Sequence, residues 1–285
     1  MTSKKENIKT ACVIGDPIDH SLSPLLHNHW IKVLGLKASY GRVQIKAETL
    51  KKEVTDCFKD QNFVGVNITL PHKQAALALA ATASPEAKKA GAANLLVRRD
   101  GKLWAHNTDI EGFTAPLLKA QGQERWQNST MVIIGAGGAA RAALIGALTL
   151  NPHKIILLNR TDARARTLAK AFGGPVTAQP WSDRQNALHG ADLLVNASAA
   201  GMTGKAALDL RCEGLAPDAL VYDLIYTPLE TSLLAEAKIA GYGALNGLDM
   251  LIAQARPSFE ALFGVSPPSG EAGKAVLIKA LEAKP

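Results

Sequence analysis

Two stretches of this chain combine residue types and spacings that can do chemistry: a glycine-rich segment, Met131 to Arg141, and a run from Asn67 to Lys73 that ends in a lysine. In the first, Gly135, Gly137 and Ala140 fit the G-x-G-x-x-G/A fingerprint, in which small residues permit a tight turn, close backbone approach to a pyrophosphate and close helix packing. A helix opening at Gly138 then presents N–H groups to phosphate. The next apolar run, Ile155 to Leu158, is followed by Asn159-Arg160-Thr161, where an acid would hydrogen-bond the ribose 2′-OH of NAD. Arg160 instead offers a planar cation suited to bidentate phosphate contact, and Thr161 adds a hydroxyl donor. Arg164, four positions after Arg160, can share its helical face. The pattern points to NADP rather than NAD, against the plainer reading of a glycine-rich helix start beside a solvated basic turn.

The run Asn67-Ile68-Thr69-Leu70-Pro71-His72-Lys73 reads as a strand end passing into a helix, with Pro71 at the helix start, and Asn107-Thr108-Asp109 likewise ends a strand. Strand ends are where α/β folds bind ligands, so a lysine and a carboxylate arriving there are suitable proton-transfer machinery. Hydride exchange between a nicotinamide and a carbonyl needs a proton donor to the developing alkoxide, a task often given to zinc or histidine. The histidines here lack ligand spacing, and Cys12, Cys57 and Cys212 are widely separated with no C-x-x-C pair, so neither a metal site nor a disulfide framework is expected. Lys73 is therefore the favoured donor, with Asp109 orienting it. The competing reading is a surface lysine at a helix start plus an aspartate capping a helix from Ile110. Ser21 and Ser23 put two hydroxyls on a loop before a helix, an arrangement that can hold a carboxylate; Ser23 as N-cap with Pro24 first in the helix explains the same residues, and both can hold together.

The elements that must position these groups alternate. Short β-branched runs at 11–14, 40–45 and 64–68 alternate with helical patterns at 23–34 and 49–59, which is βαβ grammar. A helix at 73–81 and a hairpin of 94–97 with 103–107, turning through Arg99-Asp100-Gly101, complete a first α/β domain. A helix at 110–119 and a polar connection, 121–129, lead to strands at 131–134, 154–158, 192–196 and 220–224, as a doubly wound sheet requires. Helices at 248–262 and 271–281 have no further strand to cross to and are expected to return to the first domain. The expected division is 1–109 with 248–285 for substrate and 110–247 for NADP.

Composition narrows the function. Only 5% aromatic residues argues against a stacking surface for single-stranded nucleic acid, and the net charge of +7 comes from dispersed pairs such as Lys4-Lys5 and Arg98-Arg99 rather than one basic arm. An anionic small-molecule substrate and a phosphorylated cofactor suffice as partners for that field, with no nucleic acid. No apolar run is long enough to span a membrane, and the polar start lacks a signal-peptide core, so a cytoplasmic protein with no membrane partner is expected.

Taken together, HSLSPLLHN at 20–28, NITLPHK at 67–73, GAANLL at 91–96, NTD at 107–109, GAGGAAR at 135–141, NRT at 159–161, NASAAGM at 196–202, YDLIYTP at 222–228 and GLDMLIAQA at 247–255 make the chain resemble the shikimate dehydrogenase family along nearly its whole length. The resemblance implies NADPH-dependent reduction of 3-dehydroshikimate to shikimate, and the reverse, in a cleft between the two domains; a monomer or homodimer is expected. It implies Lys73 and Asp109 as the catalytic pair, Ser21 and Ser23 on the substrate carboxylate, and Thr69, Asn94, Tyr226 and Gln254 on the carboxylate or ring hydroxyls. Gly135, Gly137, Gly138 and Ala139 would line the pyrophosphate, with Asn159, Arg160, Thr161 and Arg164 around the adenosine phosphate. Leu95, Ser198, Ala199 and Asp249 depart from the family's usual residues; Asp249 is read as a cap of the following helix, with a nicotinamide-facing role as the alternative. Rival functions are a quinate or dual dehydrogenase, a paralogue acting on a related cyclohexene acid, and a nonenzymatic NADP-sensing module.

Overall fold

The computed structural model describes residues 7–283, so the polar start with Lys4-Lys5 and the last two residues lie outside the described residues. Compact packing divides the chain into two units, one running to Thr108 and resuming at Gln254–Ala283, the other comprising Asp109–Ala253.

The first unit is built from β1 (Lys9–Gly15), α1 (Ser23–Val33), β2 (Ala38–Gln44), α2 (Leu50–Cys57), β3 (Phe63–Ile68), α3 (Lys73–Leu79), β4 (Thr82–Ala83), α4 (Pro85–Ala90), β5 (Leu95–Arg99) and β6 (Lys102–His106). Its sheet runs β2-β1-β3-β5-β6-β4; β1 is parallel to both β2 and β3, while β5 is antiparallel to β3 and to β6. The start of β5 and the ends of β1, β3 and β6 therefore share one edge. The hairpin closes through Asp100 and Gly101, both at positive φ (50° and 72°), the two-residue turn whose twist matches paired strands. The helix after β3 stops at Leu79 because Ala80 is extended, and the chain enters the two-residue β4 that periodicity did not indicate.

The second unit comprises α5 (Asp109–Gln121), β7 (Thr130–Ile134), α6 (Gly138–Leu148), β8 (Lys154–Leu158), α7 (Asp162–Phe172), β9 (Val176–Ala178), β10 (Leu193–Asn196), β11 (Leu220–Asp223), α8 (Ser232–Ile239), β12 (Gly243–Asn246) and the start of α9 (Gly247–Phe263). All its strand pairs are parallel, in the order β12-β11-β10-β7-β8-β9. Numbered from β7, that is the 3-2-1-4-5-6 order of a doubly wound dinucleotide-binding sheet, with its switch point between β7 and β10. The runs 131–134, 155–158 and 193–195 of its central strands are apolar because both faces are covered, one by a cluster including Phe113, Leu144 and Tyr222, the other by one including Val132, Leu188 and Leu234. The polar connection before β7 carries a short 3-10 turn whose Trp126 is fully buried, its indole N–H donating to Leu117 O.

Within the first unit, the later part of α9 and α10 (Gly270–Glu282) close over the sheet and α1. A Cβ on Gly65 of β3 would stand 2.6 Å from Leu262, and one on Gly273 of α10 would stand 2.7 Å from Leu26 of α1, so glycine is what lets these helices approach. Between them lies an aromatic group in which His27 stacks on Tyr40 at 4.0 Å and packs beside Trp30 and Phe259.

Burial pulls the His27 imidazole down from 6.5 to about 3, and its Nδ1 has no hydrogen-bond partner among the described residues. The folded value lies below the unfolded one, so His27 costs nothing above about pH 6.5 and removes stability as pH falls toward 3, at about 1.4 kcal/mol per pH unit. The melting temperature of the native chain is expected to fall between about pH 7 and pH 5 more steeply than that of His27→Phe, which keeps the stacked ring and removes the titration. Parallel pH profiles for the two would contradict the buried neutral imidazole.

Candidate active site

At the shared edge of the first sheet, the segments after β1 and β3 interlock. Thr69 N–H donates to Ile14 O at 2.9 Å, Asp16 N–H donates to Leu70 O at 3.0 Å, and a Cβ on Gly15 would stand 2.5 Å from the Thr69 methyl. This brings the loop carrying Ser21 beside the loop that delivers Thr69 and Lys73. Ser21 Oγ accepts the N–H of Ser23 at 3.4 Å. Leu22 already has helical dihedrals, so Ser23 is the first residue of α1 and Pro24 the second. The expected Ser23 cap is thus corrected: the oxygen facing the helix start belongs to Ser21.

Lys73 opens α3. Pro71 precedes that helix by two residues, in a turn rather than at the expected helix start. The buried His72 ring, in contact with Ile45 O through Nε2 at 2.6 Å, and the backbone bond from Ala93 N–H to Lys73 O at 2.8 Å fix the lysine's backbone from two sides. Asn94 Oδ1 accepts Thr108 N–H at 2.8 Å, Asn94 Nδ2 donates to Thr108 Oγ1 at 2.9 Å and to Gln254 Oε1 at 3.4 Å. Asn94 and Gln254, which sequence separates by 160 positions, are therefore side by side. Asp109 follows Thr108 directly, is buried, and forms the first residue of α5.

In the second unit, β7 ends in a turn made by Gly135, whose φ is +120° and whose added Cβ would stand 2.8 Å from Ala197 O. Only glycine fits there. Gly137 caps α6, a Cβ there would meet nothing within 4 Å, and Gly137, Gly138 and Ala139 are exposed, so the helix start is open on its outer side. After β8, Asn159 Nδ2 donates to Thr161 O at 2.9 Å, holding the turn, and Thr161 is the N-cap residue of α7. The side chains of Arg160 and Arg164 are exposed and have no ion-pair partner among the described residues. A glycine turn at the switch point, an open helix N-terminus and two uncommitted guanidinium groups one strand away fit the residues to a dinucleotide carrying an extra phosphate.

Sequence reasoning missed the carboxylate that orders the neighbouring loops. Asp223 is fully buried at the end of β11; its Oδ1 accepts Asn196 Nδ2 at 3.0 Å and Ile225 N–H at 3.1 Å, and its Oδ2 accepts Thr231 Oγ1 at 2.7 Å. Burial raises its pKa despite those three donors. Tyr226, half-buried with its phenol pKa raised by burial, follows in the loop so fixed. An aspartate ending an apolar strand was the available signal. Asp249 lies in the first turn of α9, where an acid is favourable to the helix dipole, but the cap is Asn246, whose Oδ1 accepts Leu248 N–H at 3.1 Å. Gly247 between them is obligatory, since a Cβ would stand 2.0 Å from Leu224 O.

Among the described residues there is no cluster of three or more His, Cys, Asp or Glu side chains that could hold a metal, no helix is long and apolar enough to cross a membrane, and all three cysteines are free. The parallel sheet with its glycine turn, together with the lysine at the edge of the first sheet, defines the class: a two-unit α/β nicotinamide-dependent oxidoreductase. A model of the shikimate dehydrogenase substrate-binding domain matches residues 13–96, and one described as shikimate/quinate 5-dehydrogenase matches residues 117–203. A shikimate dehydrogenase (NADP(+)) of Cereibacter sphaeroides is 43% identical over 272 residues, covering 95% of this chain and 97% of that relative. A shikimate dehydrogenase solved in complex with NADP+ superposes with TM-score 0.87 at 34% identity, covering 96% of each chain. The Thermus thermophilus shikimate 5-dehydrogenase, solved with NADP(H) and shikimate, gives 0.83 at 34% identity, covering 95% of this chain and 99% of that one. The chain belongs to the shikimate dehydrogenase family.

Proposed function

We propose that this protein is an NADP-dependent oxidoreductase interconverting 3-dehydroshikimate and shikimate in aromatic amino-acid biosynthesis, working in the cytoplasm as a monomer or homodimer. The observation that carries the reading is the edge of the first sheet, where Lys73 follows β3 on a backbone held from two sides, next to the joined Asn94 and Gln254. NADPH, when bound, supplies the hydride. Every other step belongs to the chain.

Ser21 and Ser23 hold the substrate carboxylate with hydroxyls at the start of α1, and Thr69, Asn94, Tyr226 and Gln254 take the carboxylate or ring hydroxyls. Lys73 polarises the carbonyl and delivers a proton to the oxygen as it gains charge; Asp109 orients the ammonium and stabilises it. In the oxidative direction the same lysine accepts the hydroxyl proton. Gly135, Gly137, Gly138 and Ala139 line the pyrophosphate, and Asn159, Arg160, Thr161 and Arg164 surround the adenosine phosphate. Support for the compartment comes from three cysteines that remain thiols.

The test is nicotinamide absorbance followed with purified protein on shikimate and quinate, each with NADP+ and NAD+. The highest kcat/KM is expected for shikimate with NADP+. A higher value for quinate with NAD+ would replace the proposal with the quinate reading, and no turnover on either would favour a sensor.

A further inference from the structure

Behind Asn94 and Gln254 runs a buried hydrogen-bond relay that crosses the fold. Asn67 Nδ2 donates to Asn94 O at 3.1 Å, a carbonyl that can only accept, and Asn67 Oδ1 accepts the Tyr40 hydroxyl at 2.8 Å, so the Asn67 amide has one orientation. Its Nδ2 also donates to Ser258 Oγ at 2.9 Å, across 191 positions of sequence. Ser258 Oγ, having accepted there, also lies 3.2 Å from Thr108 Oγ1, a contact in which either hydroxyl can donate. The Asn94 amide is fixed in the same way, because Thr108 N–H can only donate and takes Oδ1. Thr108 Oγ1 accepts from Asn94 and reaches Gln254 Oε1 at 3.4 Å, where Asn94 Nδ2 also points. Ser258 is 0% exposed and Thr108 is 0% exposed, so water does not substitute for either partner.

Gln254 and Ser258 are four residues apart and share one face of α9. We propose that Ser258 is a positioning residue for substrate recognition: its hydroxyl joins Asn67 to Thr108, seats this face of α9 on the sheet edge, and holds the Gln254 carbonyl on the relay, fixing the orientation in which Gln254 meets the substrate. This rests on the function proposed above for the substrate contacts of Asn94 and Gln254.

The experiment compares the full-length chain with Ser258→Ala, Thr108→Val and the double variant, measuring shikimate KM, kcat, NADP+ affinity by calorimetry and melting temperature. Ser258→Ala is expected to raise shikimate KM about tenfold with NADP+ affinity unchanged, and the double variant to be no worse than the worse single, because both cut one relay. Ser258→Thr, which restores the hydroxyl, is expected to recover much of the KM. Unchanged KM in Ser258→Ala, additive losses in the double variant, or equal losses for shikimate and NADP+ would each overturn the proposal. If the native chain fails on shikimate, the functional reading falls, while the relay is still read from the side-chain amide NMR signals of Asn94 and Gln254. Those signals shift in Ser258→Ala if the relay joins them and stay in place if it does not.

Discussion

Lys73→Ala is expected to lower kcat by at least about 100-fold while leaving substrate KM nearly unchanged, the range lost when a positioned proton donor is removed. The substitution is a clean one in structural terms. The bond that anchors this residue, from Ala93 N–H, reaches the Lys73 main-chain oxygen and survives truncation of the side chain. Alanine is the best helix former and stands at the first position of α3, so the element is retained. What disappears is the ammonium that stabilises charge on the carbonyl oxygen, an interaction stronger in the transition state than in the ground state, and such a loss falls on kcat rather than on KM. Steady-state rates in both directions check it, with the melting temperature as the control for folding. Near-normal turnover would remove Lys73 from the mechanism and leave it the surface lysine that its sequence position also allows.

How much of this was legible in the sequence depends on the range of the forces involved. The glycine turn could be read because its requirement is local: a positive φ at Gly135 and a crowded Cβ position are met within one strand-to-helix junction. The same holds for the Asp100-Gly101 hairpin and for the buried strands of the second unit, whose unbroken apolar runs follow from cover on both faces. The short edge strands β9 and β12 were not legible. Three residues, or four with only partial burial, carry too little periodicity, and pairing to a neighbour is what makes them strands. Trp126 was hidden for a related reason, a single buried side chain inside a polar connection.

The first site shows the limit most clearly. Lys73 and Ser21 stand out by type beside turn-forming residues, but Ser258 is one serine in a long helix, and its meaning comes only from Asn67 and Thr108 across the fold. Caps were misassigned for a subtler reason. Ser21 and Ser23, or Asn246 and Asp249, are both acceptable N-terminal residues, and a shift of two or three positions in the helix start changes which oxygen meets the N–H groups. Asp223 carried a signal in its type at a strand end, but its role was hidden because its three donors arrive from Asn196, Ile225 and Thr231, only two of them near in sequence.

Arg160→Ala is expected to weaken NADP+ binding by roughly 10- to 150-fold while changing NAD+ binding little, because a charge-assisted hydrogen bond contributes about 1.5–3 kcal/mol. The two cofactors differ only in the 2′-phosphate, so the comparison isolates that contact from everything the pyrophosphate and nicotinamide do. Arg160 lies in the turn after β8, which the Asn159 amide holds through Thr161 O, and its exposed side chain has no ion-pair partner among the described residues whose loss would confuse the result. Truncation should therefore leave stability within a few tenths of a kcal/mol, as for other exposed surface positions. Arg164, one helical turn on, keeps some positive field, so Arg160→Ala with Arg164→Ala should lose more NADP+ affinity than either alone, and the salt dependence of binding should flatten with each charge removed. Calorimetric titration of both cofactors at two ionic strengths measures this directly. Equal losses for NADP+ and NAD+ would show that Arg160 shapes the loop instead of reading the phosphate, and the preference would then have to reside in Thr161 and Arg164.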